Sequence, residues 1–249
     1  MDLQVVGAGA MGRWFAGALA ADAREPITVT FVDADPDAAA SAANALEGNT
    51  DKSAVARAPA ADVVCVAVPI PAATEAIAAA ADRATEAVLD LTGTMTEPVE
   101  AMDRHATDLE RLSLHPLFAP ENEPGNVAAV PATGGPVTDL VRDTLTARGN
   151  EWFETTPADH DEAMETVQAR THAAVLAYAL AREDVDERFH TPISGPLADL
   201  ADQVTDGDAR VYADVQAAFD GAEDVAEAAR RIADAEGAAF EALYEDAGR

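Results

Sequence analysis

The sequence predicts an α/β protein: a doubly wound parallel sheet, followed by an all-helical domain. Three observations predict it. Short β-branched runs alternate with alanine-rich helical runs through the first 153 residues. A glycine-rich turn, Gly7-Ala-Gly9-Ala10-Met11-Gly12, closes the first of these runs. No strand pattern survives beyond residue 155, so the expected domains are 1–155 and 156–249.

In order, the first strand pattern covers 3–6, and a helix over 11–22 follows the glycine turn. A strand at 27–32 leads to a helix at 36–46, with Asp35 as its cap. The run 62–68 is apolar on consecutive positions, as a strand buried on both faces requires. Then come helix 72–82, strand 86–91, helix 96–107, strands 110–114 and 127–131, helix 136–148 and strand 150–154. Thr156-Pro157-Ala158-Asp159 supplies a helix cap, a first-turn proline and an acid at the third position. The helix it starts is expected to run to about 183, with Met164, Val167, Thr171, Val175 and Tyr178 on one face. Helices at 194–204, 208–220 and 223–245 complete the chain. The last carries Val225, Ile232 and Ala239 seven apart, with Leu243 closing the stripe. A helical domain of this size with apolar stripes is expected to complete its core as a homodimer.

The chain has 249 residues and a formal net charge of −30. Such a surface repels nucleic acid phosphates and anionic membranes, which argues against both as partners. Lys52 is the single lysine. Abundant Asp and Glu with many alanines point to a high-salt cytoplasm, where a Debye length of roughly 3 Å at molar salt quenches the self-repulsion. Cys65, the single cysteine, lies in a buried-strand pattern and reads as an inert core thiol. No signal-peptide pattern precedes the first strand, and apolar runs such as Ala173–Ala181 are too short to span a bilayer. The expected location is the cytoplasm.

The glycine turn sits between a strand and a helix, the context of a dinucleotide site in a Rossmann-type domain. Gly7 would allow the tight turn, Gly9 the approach of a pyrophosphate and Gly12 close helix packing. The N–H groups at Ala10, Met11 and Gly12 would face the phosphates. Asp33 ends the second strand 21 residues after Gly12, close to the spacing of a ribose-binding acid. A carboxylate there favours NAD over NADP; the alternative is a solvated acid at a strand end. Val68-Pro69 would pass the nicotinamide side, or simply end the strand.

Five histidines occur, at 105, 115, 160, 172 and 190. His115 follows a strand and precedes Pro116, which places it on a loop at a sheet edge, either as an acid/base or as a structural histidine. His160, in Asp159-His-Asp-Glu162, reads as part of a solvated first helical turn. No ligand spacing there or elsewhere indicates a metal site.

Several segments resemble the TyrA family of prephenate/arogenate (cyclohexadienyl) dehydrogenases over nearly the whole length. They are Gly7-Ala-Gly-Ala-Met-Gly-Arg-Trp-Phe15, Leu89-Asp-Leu91, His115-Pro-Leu-Phe-Ala-Pro120, Val167-Gln-Ala-Arg-Thr-His172, Ala177-Tyr178 and Asp208-Ala-Arg-Val-Tyr-Ala-Asp214. The His-Pro segment is the most specific of them. The resemblance implies NAD-dependent oxidative decarboxylation of prephenate to 4-hydroxyphenylpyruvate in tyrosine biosynthesis, with His115 as the catalytic acid/base. It implies that Glu121 shapes the site and that His172 contacts the substrate side chain. Two positions depart from the family. Gly93 stands where a serine is usual, leaving Thr92 and Thr94 as neighbouring hydroxyls. Gln203 stands where an arginine binds the substrate carboxylate, leaving Arg170 and Arg210 as candidate cations. These departures keep open three alternatives: an arogenate dehydrogenase, another NAD(P)-dependent dehydrogenase on this scaffold, and a nucleotide-binding regulator without catalysis.

Overall fold

The structure is a computed structural model that describes residues 1–22, 26–47, 50–54 and 59–248. It divides into two compact units, Met1–Asp161 and Glu162–Arg249.

The first unit is built on an eight-stranded sheet: β1 (Asp2–Val6), β2 (Ile27–Val32), β3 (Thr50–Ala54), β4 (Ala61–Val66), β5 (Ala84–Asp90), β6 (Glu110–Pro116), β7 (Asn126–Thr133) and β8 (Glu151–Glu154). Their spatial order is β3-β2-β1-β4-β5-β6-β7-β8. The order therefore reverses between β1 and β4, where open α/β sheets bind ligands at the carboxyl ends of their strands. Helices α1 (Ala10–Asp22), α2 (Pro36–Ala45), α3 (Ala73–Ala81), α4 (Thr96–His105) and α5 (Pro136–Ala147) cover the two faces. The pleat of β4 separates two cores. Val63 and Cys65 join Phe15, Phe31, Leu89 and Leu145 on one side. Val64 and Val66 join Ile77, Val88, Met95 and Met102 on the other. Cys65 is fully buried, and burial pushes its thiol well above the usual range.

Two features correct the sequence reading of the sheet. First, β3 was not among the expected strands, because Thr-Asp-Lys-Ser-Ala has no apolar alternation. It forms by parallel pairing with β2, where Thr50 Oγ1 donates to the Ile27 carbonyl at 2.6 Å. Lys52 Nζ, on this edge strand, donates to the Asn44 and Leu46 carbonyls at the end of α2, satisfying acceptors the helix leaves unpaired. Second, the sheet is not wholly parallel. Strand β7 runs antiparallel to β6 and parallel to β8. A crossover helix would be needed to restore the parallel direction, and the sequence has no helical pattern between 114 and 127.

The second unit is helical after α6 (Pro157–Met164), within which the division between units falls. The single helix expected to reach 183 is instead α6, a π-helical turn over Glu165–Arg170, and α7 (Thr171–Ala181). The wider turn breaks the 3.6-residue register. Met164 and Val175 remain buried while Val167, between them, is half exposed. Helices α8 (Ser194–Thr205), α9 (Ala209–Ala218), α10 (Gly221–Asp234) and α11 (Ala238–Ala247) follow. The last two replace the expected helix 223–245. The break lies at Gly237, whose φ of +51° is a left-handed conformation that glycine adopts freely. Helix α10 approaches the π turn so closely that a Cβ at Gly221 would stand 2.6 Å from the Arg170 backbone nitrogen. Among the described residues, no helix is long and apolar enough to cross a membrane.

Candidate active site

The turn between β1 and α1 is built from backbone. Gly7 has a φ of +102°, and a Cβ there would stand 2.1 Å from the Ala67 carbonyl oxygen. A Cβ on Gly12 would meet the Gly7 carbonyl oxygen at 2.2 Å. Both positions therefore exclude any side chain. Around Gly9 the space is open, with nothing within 4 Å of an added Cβ. Gly9 and Ala10 are exposed, and Met11 is half-buried. These are the features of a phosphate cradle at the start of a helix, with backbone N–H groups available to an anion.

Asp33 closes this cradle from β2. Its carboxylate accepts from the Ala8 N–H at 2.7 Å and from the Asp35 N–H at 2.9 Å. Arg13 straps the same turn, donating from Nε to the Ala8 carbonyl and from its guanidinium to the Ala38 carbonyl. Val68 and Pro69, both half-buried, continue from Ala67, the residue that Gly7 abuts. The residues expected to hold a dinucleotide, from positions 7 to 12, 33, 68 and 69, are thus gathered at the ends of β1, β2 and β4.

His115 corrects an expectation. It is not on a loop at a sheet edge. It lies within β6, opposite Ala128 of β7, and is 8% exposed. Its Nδ1 lies 2.9 Å from Nε2 of His160. His160, expected to be solvated, is 3% exposed. Its Nδ1 lies 2.8 Å from Oδ1 of Asp161. Asp161 in turn accepts from the backbone N–H groups of Met95 and Thr96 at the start of α4, at 2.9 and 3.0 Å. Burial alone would raise the Asp161 pKa; the bonds from His160, Thr96 and Met95 overcome it and hold the carboxyl at about 2. Burial, and then the neighbouring His160, lower His115 to about 3, against an opposing pull from Asp161. Among the described residues, no group of three or more His, Cys, Asp or Glu is placed to hold a metal ion.

Gly93 faces this histidine. A Cβ there would stand 3.9 Å from His115 Nε2 and 3.4 Å from Ile70 Cδ1. The segment Ala67–Ile70 therefore starts against the Gly7 turn and ends beside Gly93, the glycine next to His115. The loop after β6 also returns to α1, where Phe118 meets Trp14 edge-on at 5.4 Å between ring centroids.

The hydroxyls flanking Gly93 differ. Thr92 is buried, and its Oγ donates inward to Asp90 Oδ1 and the Thr94 carbonyl. Asp90 is fully buried, and burial pushes its carboxyl up to about 6 against the opposing hydrogen bonds from Thr92. Thr94 is half-buried. Glu121, in a short 3-10 turn, is exposed. Two residues on, Glu123 receives a bidentate bond from Arg148 at 2.9 and 2.6 Å, and a bond from Asn150 at 2.8 Å.

The remaining candidates belong to the second unit. His172 meets Tyr212 edge-on at 4.8 Å, and burial lowers its pKa. Its Nδ1 is buried and has no hydrogen-bond partner among the described residues. Arg170 is committed to Asp224, Glu165 and Thr166. Arg210 has one loose contact, to Asp214 at 3.9 Å, and is largely exposed. Gln203 is exposed.

His160 and Asp161 are the residues that sequence reasoning missed. The available signal was position: His160 stands four residues before Met164, so it shares the helix face of a stripe residue.

Residues 15–132 match the family model of the prephenate dehydrogenase nucleotide-binding domain. The chain is 33% identical over 234 residues to a 4-amino-4-deoxyprephenate dehydrogenase of Streptomyces pristinaespiralis, covering 88% of this chain and 77% of that protein. Two solved structures share its fold. One is prephenate dehydrogenase from Aquifex aeolicus, crystallised with hydroxyphenyl propionate and NAD+, at a TM-score of 0.70 and 18% identity over 91% of this chain and 86% of that one. The other is Synechocystis arogenate dehydrogenase, at a TM-score of 0.62 and 16% identity over 100% and 98%. With the glycine cradle, the buried histidine and a relative matched across both units, the chain belongs to the prephenate dehydrogenase family.

Proposed function

We propose that this enzyme catalyses the NAD-dependent oxidative decarboxylation of prephenate to 4-hydroxyphenylpyruvate, in the cytoplasm and as a homodimer. The observation that carries this reading is that the segment Ala67–Ile70 starts against the Gly7 turn and ends beside Gly93, next to His115 Nε2. It supports reading the glycine turn and the buried histidine as parts of one site.

In this reading Gly7, Gly9, Ala10, Met11 and Gly12 hold the pyrophosphate, Asp33 holds the ribose hydroxyls, and Val68 and Pro69 border the nicotinamide. The bound NAD supplies the hydride acceptor. His115 takes the proton of the ring hydroxyl as the C–H bond on the same carbon is oxidised. The electrons of the carboxylate's C–C bond then enter the ring as CO2 leaves, and the product oxygen recovers a proton. Aromatisation drives that step without a metal.

Thr92 is not suited to hold the ring hydroxyl, because its proton is spent on Asp90 and Thr94. Thr94 and Glu121 remain as site residues of this proposal. Arg210 is the better candidate for a substrate carboxylate, since the Arg170 guanidinium already has three acceptors. Gln203 and His172 are retained as substrate residues on the resemblance alone. The homodimer is supported by large apolar side chains left open on the second unit, including Leu180 at 88%, Ile193 at 80% and Phe189 at 76% exposed.

A second reading comes from the Streptomyces relative, whose name specifies an amine in place of the ring hydroxyl. The missing side chain at Gly93, beside His115, is compatible with either substituent. The test is NADH formation in molar KCl with prephenate, its 4-amino-4-deoxy analogue and arogenate offered separately. Fastest turnover of prephenate supports the proposal. A tenfold or greater preference for the amine analogue selects the second reading. NAD binding without reduction on any of the three would leave a nucleotide-binding regulator.

A further inference from the structure

We infer that Asp161 and His160 are positioning residues that fix the tautomer of His115, with its hydrogen on Nδ1 and Nε2 as the basic nitrogen. The inference rests on the proposed reaction only for the identity of the proton that His115 removes.

The argument follows the hydrogens along one line. An ionised Asp161 can only accept. Its Oδ1 already takes the Met95 N–H, and its Oδ2 takes the Thr96 N–H. The His160 nitrogen facing Oδ1 must therefore be the one that carries a hydrogen. In the neutral ring this makes His160 Nε2 an acceptor. His115 Nδ1, 2.9 Å away, must then donate to it. His115 Nε2 is then the nitrogen without a hydrogen, and an added Cβ on Gly93 would stand 3.9 Å from it. When Nε2 gains a proton, the new positive charge is shared toward a fixed carboxylate through two hydrogen bonds.

The line is anchored at both ends. The histidine end sits within a paired strand, β6. The carboxylate end sits at the first N–H groups of α4, where the helix favours negative charge. Both rings are almost fully buried, so water does not compete for these bonds. A third group in this relation to a base holds it in one tautomer, and changing an aspartate in that role to asparagine costs about 10⁴ in kcat in serine proteases.

The test has one arm without substrate and one with it. In the first, ¹⁵N–¹H correlation spectra of the histidine rings are recorded for the wild-type chain, Asp161→Asn and His160→Phe. The expected wild-type spectrum shows both His115 and His160 with hydrogen on Nδ1. Asp161→Asn, which places an amide NH2 among donors, should change the tautomer of His160 and with it that of His115. In the second arm, kcat, KM and NAD affinity are measured. Both variants should lose about 100-fold or more in kcat, with KM and the NAD dissociation constant within threefold of wild type. His160→Phe leaves the bonds of Asp161 to Met95 and Thr96 in place, so its loss reports on the line and not on the start of α4.

A wild-type spectrum with hydrogen on His115 Nε2 overturns the inference. So does a kcat within threefold of wild type in His160→Phe. If wild-type enzyme turns over none of the three substrates, the proposed reaction falls and the spectra alone decide the inference.

Discussion

At the turn between β1 and α1 the proposed binding atoms are backbone N–H groups, and the sequence around them is short and contiguous. At the end of β6 the working atoms are side chains drawn from positions 45 residues apart, His115 and His160. The first site depends on what is missing, since a Cβ on Gly7 or Gly12 would collide with a carbonyl oxygen. The second depends on what is present, in one order and one protonation pattern. A backbone site therefore tolerates change in the side chains that surround it, whereas a side-chain line fails at any one member.

The sharpest way to break this comparison is His115→Asn. It should lower kcat by about 10³-fold, within the range for a lost general base, while NAD affinity stays within about twofold. Isothermal titration with NAD and steady-state kinetics measure the two separately. A joint loss would show that the two sites are not independent.

A smaller effect should follow from Asp33→Ser. Removing the carboxylate relieves repulsion of a 2′-phosphate, so the preference for NAD over NADP should fall by about 10- to 100-fold, or about 1.4–2.8 kcal/mol. The ratio of kcat/KM with the two cofactors reads it directly. The serine also forfeits the charge that accepts the Ala8 N–H, so some loss of NAD affinity should accompany the shift.

The smallest effect is expected at Glu123, which braces the loop after β6 through Arg148. That bidentate pair, opposed by burial and helped by the bond from Asn150, lowers the Glu123 pKa from 4.5 to about 2. Because the folded pKa is depressed, its stabilisation is present above about pH 4.5 and is lost as pH falls toward 2. Solvent screening at this partly open site holds the effect of Glu123→Gln to about 1 kcal/mol at pH 7. Urea midpoints should differ between variant and wild type at pH 7 and converge as the pH approaches 2.

How much could be read in advance follows the same division. The glycine spacing, the apolar run of β4 and the distance to Asp33 are local patterns with a fixed structural meaning, and the resemblance drew on such segments. Strand β3 was invisible because its pairing with β2, not its own composition, makes it a strand. The direction of β7 was legible only as a missing helix. His160 and Asp161 looked like solvated first-turn residues, because nothing in a helix start reveals that α4 and β6 will close over it. The π turn escaped for a related reason: its carbonyl at Ala169 is satisfied by Gln216, a partner 47 residues away. The break at Gly237 did carry a local signal, the glycine itself, but the heptad spacing of Val225, Ile232 and Ala239 outweighed it.

The single lysine has a practical consequence. Its ε-amine is fixed on the outer strand of the sheet by two carbonyls at the end of α2. Amine-directed reagents thus meet one side-chain target in the whole molecule, and it is a target engaged in hydrogen bonds. Acylation there would attach a dye or a tether at a known address while uncapping a helix, so the extent of conjugation becomes a gauge of how often that corner of the protein opens.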